Sequence, residues 1–177
     1  MTYTLNVAGL TRELPICRIN DDLEIAAFIM FSDVELTVAC ASELLKRVPD
    51  FDVILTAESK GIPIAYECAR QSGKPYVVGR KEVKLYMTDP IKVEVRSITT
   101  DHIQTLILSK EDVERLNGKR VLILDDVIST GESLEALAKL VEAAGGIKAA
   151  SAAVLAEGDA AKRHDIIFLE ELPLFVS

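Results

Sequence analysis

Two adjacent carboxylates, Asp125 and Asp126, follow the apolar run 121–124 and lead directly into Val127-Ile128-Ser129-Thr130-Gly131-Glu132-Ser133. The apolar residues, mostly branched, read as a buried strand, and the small hydroxylated residues and glycine read as a short loop entering a helix. In an open α/β sheet the ligand crevice lies beyond the carboxyl ends of the strands, where a helix amino-terminus offers unpaired N–H groups and a positive dipole end. Such a loop is built to hold a phosphate. Like charges repel, so the carboxylates beside it face something else: hydroxyl groups, a metal ion or a developing cation. A phosphorylated sugar satisfies both halves of the motif.

Competing readings of the pair are weaker. A receiver domain also sets acidic residues at a strand end, but after its first strand, whereas 124 residues precede this pair. An isolated Asp-Asp is by default a solvated turn with a helix cap. Lys119-Arg120 after Gly118 lacks the upstream glycine and following Ser/Thr of a P-loop, and there is no G-x-G-x-x-G for a dinucleotide. His102 reads as a turn residue and His164 as part of a surface loop, with no nucleophile elbow to suggest a hydrolase triad.

Two further segments carry polar chemistry directly after apolar runs. Glu58-Ser59-Lys60-Gly61 follows 53–56, and Val78-Gly79-Arg80-Lys81-x-x-Lys84-Leu85 brings three cations to the end of another short apolar stretch. Taken alone, Arg80, Lys81 and Lys84 could be a solvated surface run; their place after a core strand favours a site.

Together these segments resemble the type I phosphoribosyltransferase family, and within it the adenine branch. Asp125 to Ser133 resembles the signature for phosphoribosyl pyrophosphate (PRPP), 58–61 the pyrophosphate loop, and 78–85 the start of the mobile active-site loop. Thr11-Arg12-Glu13-Leu14 resembles the segment of the adenine enzymes whose arginine lies close to the base. Thr11 departs from the phenylalanine usual there, and Glu157-Gly158-Asp159 lacks the Gly-Arg that often follows the corresponding strand.

The resemblance implies an α/β fold, a parallel sheet flanked by helices, with a small N-terminal hood (residues 1–32, completed from the C-terminus) and an antiparallel flap (87–104), all within one domain, 1–177. It implies transfer of a phosphoribosyl group from PRPP to a purine, adenine first, with xanthine or hypoxanthine as alternative acceptors and a non-catalytic PRPP sensor as the alternative role. Asp125 and Asp126 would hold the ribose hydroxyls; Ser129, Thr130, Gly131, Glu132 and Ser133 the 5′-phosphate; Ser59, Lys60, Gly61, Arg80, Lys81 and Lys84 the pyrophosphate. Arg12 would border the base and Glu94 would be the flap carboxylate that assists proton transfer. Magnesium would be bound mainly through PRPP, with no protein metal site of its own, and the protein would be a homodimer.

The bulk properties restrict the partners. With 177 residues, 49% hydrophobic and 27% charged, the chain suits one globular domain. A net charge of −8 argues against nucleic acid and against an anionic membrane, and requires the cations serving an anionic substrate to be concentrated at the site. Cys17, Cys40 and Cys68 have no C-x-x-C spacing, which fits neither a disulfide framework nor a zinc site. No signal pattern opens the sequence and no run reaches the ~20 apolar residues of a spanning helix, so a cytoplasmic location is expected.

The elements that must position these residues alternate in type. Strands are expected at 3–8 and 15–19. A helix follows with Val34, Val38, Ala41, Leu45 and Val48 as its apolar face, stopped by Pro49. A second helix at 64–71 ends on Ser72-Gly73, and a strand follows at 76–78. Residues 92–99 and 104–108 alternate apolar and polar around Thr100-Asp101-His102, as an antiparallel pair does. Ser109-x-x-Asp112 resembles a capping box on a short helix. Behind the signature strand Leu134, Leu137, Ala138 and Val141 form a helix face closed by Gly145-Gly146, and 149–156 and 166–169 are the last strands. This rhythm means a parallel sheet covered on both faces.

Overall fold

The structure, a computed structural model, describes residues 1–96 and 102–177. At its centre lies a five-stranded parallel sheet in the order β10 (Ile167–Leu172), β9 (Ile147–Glu157), β8 (Arg120–Ile128), β4 (Val53–Ala57), β5 (Tyr76–Gly79). All five residues of β4 are buried, as a strand covered on both faces requires. Its side chains alternate between two cores: Ile54 joins the cluster around α1 (Val34–Arg47) and α2 (Ile62–Ser72), while Val53 and Leu55 join the one around α3 (Lys110–Leu116) and α4 (Glu132–Ala143).

An antiparallel ribbon, β6 (Ile91–Arg96) with β7 (Ile103–Leu108), packs its Val95, Leu106 and Leu108 into the second cluster. A four-stranded antiparallel sheet, β1 (Thr2–Val7), β2 (Leu10–Arg18), β3 (Leu23–Ala26) and β11 (Leu174–Val176), joins the two ends of the chain. Its β1–β2 hairpin turns on Ala8 and Gly9, both with positive φ, the conformation a two-residue hairpin demands. Leu5, Val7, Leu14 and Ala26 bury this sheet against the α1–α2 side of the core.

Local signals account for the boundaries. The Asp33 carboxylate accepts a hydrogen bond from the Leu36 amide at 3.1 Å and caps α1; Ser109 Oγ accepts from Asp112 N at 3.3 Å and caps α3. Gly73, at φ 71°, ends α2 with its amide donating to Ala69 O.

Several expectations need correction. The buried face of α1 is Leu36, Cys40, Ala41 and Leu44, with Leu45 and Val48 packed beside it; of the expected series only Val34 and Val38 turn outward, because both series repeat at helical spacing and the sheet decides between them. Strand β2 begins five residues earlier than the expected 15–19, and β3 and β11 are additions: each is short, and is held by cross-strand pairing rather than by its own pattern. The part of the expected strand beyond Arg96, and Thr100-Asp101, lie outside the described residues. Among the described residues no helix is long and apolar enough to cross a membrane.

Candidate active site

A cleft of about 370 Å³ opens above the carboxyl ends of the central strands. Its polar walls come from three strand-to-helix or strand-to-loop junctions: Ser59 and Lys60 after β4, Lys81 after β5, and Asp125, Asp126, Ser129 and Ser133 at the end of β8 and the start of α4. Much of the rest of the lining is different in character: Ile25, Ala26, Ala27, Phe28 and Ile29, at and after the end of β3, with Val127 and Leu172.

The carboxylate pair is held by the backbone that follows it. Asp126 N donates to Asp125 Oδ1 at 2.8 Å, and Val127 N donates to Asp126 Oδ1 at the same distance. Burial raises the Asp125 carboxyl well above the usual range, and the neighbouring Asp126 raises it further, against the opposing pull of Lys60. A cation, or a ligand offering hydroxyl donors, is what would relieve the raised Asp125 carboxyl.

The phosphate-loop geometry matches the chemistry of its sequence. Ser129, Thr130, Gly131, Ser133 and Leu134 line a small hollow of about 90 Å³ with Asp125, Val127 and Ile128. Gly131 adopts φ 85°, ψ 3°, and opens α4 without a side-chain cap, which leaves first-turn amides to a ligand. The positive φ is what favours glycine here; a methyl would meet only the mobile end of Arg163, Nη1 at 2.8 Å, which can move aside. Glu132 does not line this hollow; it lines a separate cavity with Thr130, Arg96, Lys148 and Arg163.

The cations are anchored unequally. Glu58 Oε1 accepts from Lys81 N at 2.7 Å and pairs with Arg80 Nε at 3.2 Å, while Arg80 Nη1 donates to Tyr86 Oη at 2.7 Å. The Glu58 carboxyl is pushed up by burial, but the Lys81 amide and the Arg80 guanidinium outweigh this and hold it low. Arg80 is also bridged through its backbone to Ile107 of β7, tying the start of this loop to the ribbon. Lys84 pairs with Glu82 at 3.4 Å and does not line the cleft. Gly61 closes the loop against β8: a Cβ there would lie 2.3 Å from Thr56 Oγ1 and 2.9 Å from Asp125 Oδ1.

Two expected site residues stand apart. Arg12, on β2, donates to Asp33 at 2.8 Å and to Glu35 at 2.9 Å, and lines a different cavity with Leu36 and Pro15. The two carboxylates at the start of α1 pair with its charge, and its cavity shares Ala27, Phe28 and Ile29 with the lining of the cleft. Glu94, on β6, pairs with Lys92 at 3.0 Å and is likewise absent from the cleft wall.

Other cleft residues were not singled out from sequence. Gln104, the first residue of the expected strand 104–108, lines the cleft and donates through Nε2 to Ser133 Oγ at 3.0 Å, linking ribbon to phosphate loop. Glu157, last residue of β9, also lines it. A polar residue at the carboxyl end of a parallel strand was the available signal for Glu157; nothing in the local pattern marks 25–29 as a cleft wall.

Comparison with known proteins agrees with this arrangement. Residues 39–173 match the phosphoribosyl transferase domain family. The xanthine phosphoribosyltransferase of Exiguobacterium sp. is 36% identical over 127 residues, covering 70% of this chain and 65% of that protein. The adenine phosphoribosyltransferase of Cenarchaeum symbiosum is 38% identical over 119 residues, 66% of each. The matches thus span slightly less than two thirds of these relatives' lengths. The crystal structure of adenine phosphoribosyltransferase from Thermoanaerobacter pseudethanolicus superposes with a TM-score of 0.71 over 89% of this chain and 95% of that one; at 24% identity it speaks for the fold.

Proposed function

We propose, because the chain belongs to the phosphoribosyl transferase family, that it transfers the 5-phosphoribosyl group of PRPP to a purine base, adenine first, releasing pyrophosphate. The observation that carries this reading is the cleft itself, in which the Asp125–Asp126 pair, the phosphate hollow and the loops bearing Lys60 and Lys81 surround one volume with an apolar wall left for a base.

Displacing pyrophosphate from the anomeric carbon gives the ribose cationic character while the leaving group gains negative charge. Asp125 and Asp126 accept the ribose hydroxyls and oppose that cation with fixed negative charge. First-turn amides of α4, with Ser129, Thr130 and Ser133, hold the 5′-phosphate. Ser59 and Lys60, with Lys81 on its Glu58-anchored loop, hold the pyrophosphate; Arg80 acts by fixing that loop and Gly61 by allowing its close approach to Asp125. The incoming base lies against Phe28, Val127 and Leu172, which exclude water from the reacting carbon.

The donor set suits magnesium held chiefly by the substrate, since Asp125 and Asp126 are hard oxygen donors and this ion favours one or two carboxylates together with phosphates and water. When bound with PRPP it supplies charge neutralisation and orientation of the leaving group. Residues 87–104 act as a flap, residues 1–32 with β11 as a hood, and Arg12 fixes the start of α1 beneath the hood. We also propose a cytoplasmic homodimer, supported by the apolar groove that Phe31, Val34, Val38 and Tyr66 leave exposed.

The test is binding of PRPP in the presence of Mg²⁺ by titration calorimetry, followed by nucleotide formation on adding adenine. Binding without turnover on any base would favour the non-catalytic PRPP sensor instead.

A further inference from the structure

We propose that Glu157 selects the base, accepting a hydrogen bond from the amino group of a 6-aminopurine and repelling the oxygen of a 6-oxopurine. The inference rests on the phosphoribosyl-transfer reading and names the residue that sets acceptor choice at that site.

The cleft divides by chemistry. Its charged and hydroxylated walls match the three parts of PRPP, which leaves the wall of Ile25, Phe28, Val127 and Leu172 for the base. Glu157 lines the same cleft. It closes β9, and its register partner across the parallel ladder is Leu172, which is buried in the same apolar cluster as Ala26 and Phe28.

The carboxylate is half-buried, and it makes no hydrogen bond or ion pair with any described residue. The cations that follow it closely are committed elsewhere: Lys162 to Asp159 at 2.9 Å, and Arg163 to Asp165 at 2.7 Å. With no partner among the described residues and a place in the cleft lining, this carboxylate is available to accept a hydrogen bond from a ligand. Packing alone does not explain it, since an apolar residue would serve better beside Leu172.

An ionised carboxylate only accepts hydrogen bonds. A 6-amino group offers it an N–H. A 6-oxo group presents lone pairs to lone pairs and leaves both partners desolvated without a hydrogen bond, the arrangement by which polar sites reject analogues most strongly. Glu157 acts on base affinity and orientation and takes no part in bond making: the base nitrogen still attacks the anomeric carbon as the bond to pyrophosphate breaks.

The experiment compares wild type, Glu157→Gln and Glu157→Ala. For each, kcat/KM is measured with adenine and with hypoxanthine, and PRPP affinity with Mg²⁺ is measured separately by calorimetry. Glutamine keeps an acceptor for the amino group and adds a donor for the oxo group. The adenine-to-hypoxanthine preference should therefore fall at least about 30-fold in Glu157→Gln, mainly through a gain on hypoxanthine. Glu157→Ala should lose adenine efficiency with a raised KM for the base, while PRPP affinity stays within about threefold in both variants. PRPP binding with an unchanged base preference in Glu157→Gln would overturn this inference alone. Failure of the wild-type protein to bind PRPP would overturn the functional reading and this inference with it.

Discussion

Gly61→Ala probes the join between the pyrophosphate loop and the carboxylate pair. The backbone at Gly61 is helical (φ −80°, ψ −11°), so alanine is conformationally permitted and should gain about 0.4–1 kcal/mol from a less flexible unfolded chain. Space works against it. The added methyl would sit 2.3 Å from Thr56 Oγ1, 2.9 Å from Asp125 Oδ1 and 3.4 Å from Asp125 Cα. Thr56 is fully buried and β-branched, and Asp125 is fixed in β8, so the strands must part or both side chains must leave their rotamers; such overpacking costs about 1–3 kcal/mol. The net expectation is a loss of about 0.5–2 kcal/mol, with PRPP affinity reduced because Asp125 Oδ1 is the displaced atom. Thr56→Ala supplies the control. The Thr56 hydroxyl has no hydrogen-bond partner among the described residues, so its removal is nearly neutral and vacates the closest contact. Urea unfolding of the four proteins of this double-mutant cycle should show a favourable coupling of at least about 1 kcal/mol. Additive effects, or Gly61→Ala as stable as wild type with PRPP affinity intact, would refute the claim that loop and carboxylate pair are packed in contact.

Asp125→Asn should abolish PRPP binding yet raise stability at neutral pH, by about 1–4 kcal/mol, because it removes a buried like-charge partner. The folded-state carboxyl titrates above its unfolded value, so the wild type is favoured most below the unfolded pKa and loses that advantage as pH rises through the folded one; the gain from Asp125→Asn should grow over that window in thermal melts at successive pH values, and a gain confined to acid would contradict the assignment. Glu132→Ala should change PRPP affinity less than about threefold, since its side chain lines the neighbouring cavity; a tightening beyond tenfold would mean that the carboxylate faces the phosphate. Arg12→Ala should lower stability slightly by removing its pair with Asp33 while leaving the KM for the base little changed, and a selective rise in that KM would return Arg12 to the base site. Amide exchange in β6 and around Gln104 should slow when PRPP and Mg²⁺ are added, because Gln104 already ties the ribbon to Ser133 and a bound phosphate orders that loop; equal protection in both states would argue against a flap.

Much of the parallel sheet was legible because a strand buried on both faces must be a continuous apolar run, and the loops at its carboxyl end announce themselves by glycine, hydroxyls and paired charge. Asp125, Ser129 and Lys60 belong to such junctions. The four-stranded sheet was less legible: β3 and β11 are four and three residues long, and only their pairing across the length of the chain makes them strands. The first turns of α1 were legible only in part, because Val34 and Val38 repeat at the same interval as Leu36 and Cys40 and burial rather than periodicity distinguishes them, whereas Ala41, Leu45 and Val48 do lie on the core side. Arg12 and Glu94 lie where their segments were expected, each paired with a nearby opposite charge that the sequence pattern does not announce. Glu157 was visible as a residue and silent as a site until the fold set it beside Leu172 at the apolar end of the cleft.

The central claim is PRPP-dependent transfer to a purine, and it is tested most directly by incubating the wild-type protein with PRPP, Mg²⁺ and, in turn, adenine, hypoxanthine, xanthine, guanine, uracil and orotate, and measuring both pyrophosphate release and nucleotide formation. Equimolar pyrophosphate and nucleoside monophosphate, fastest with adenine, is the predicted result. Faster turnover with uracil or orotate than with every purine, or no turnover with any base, would contradict the account.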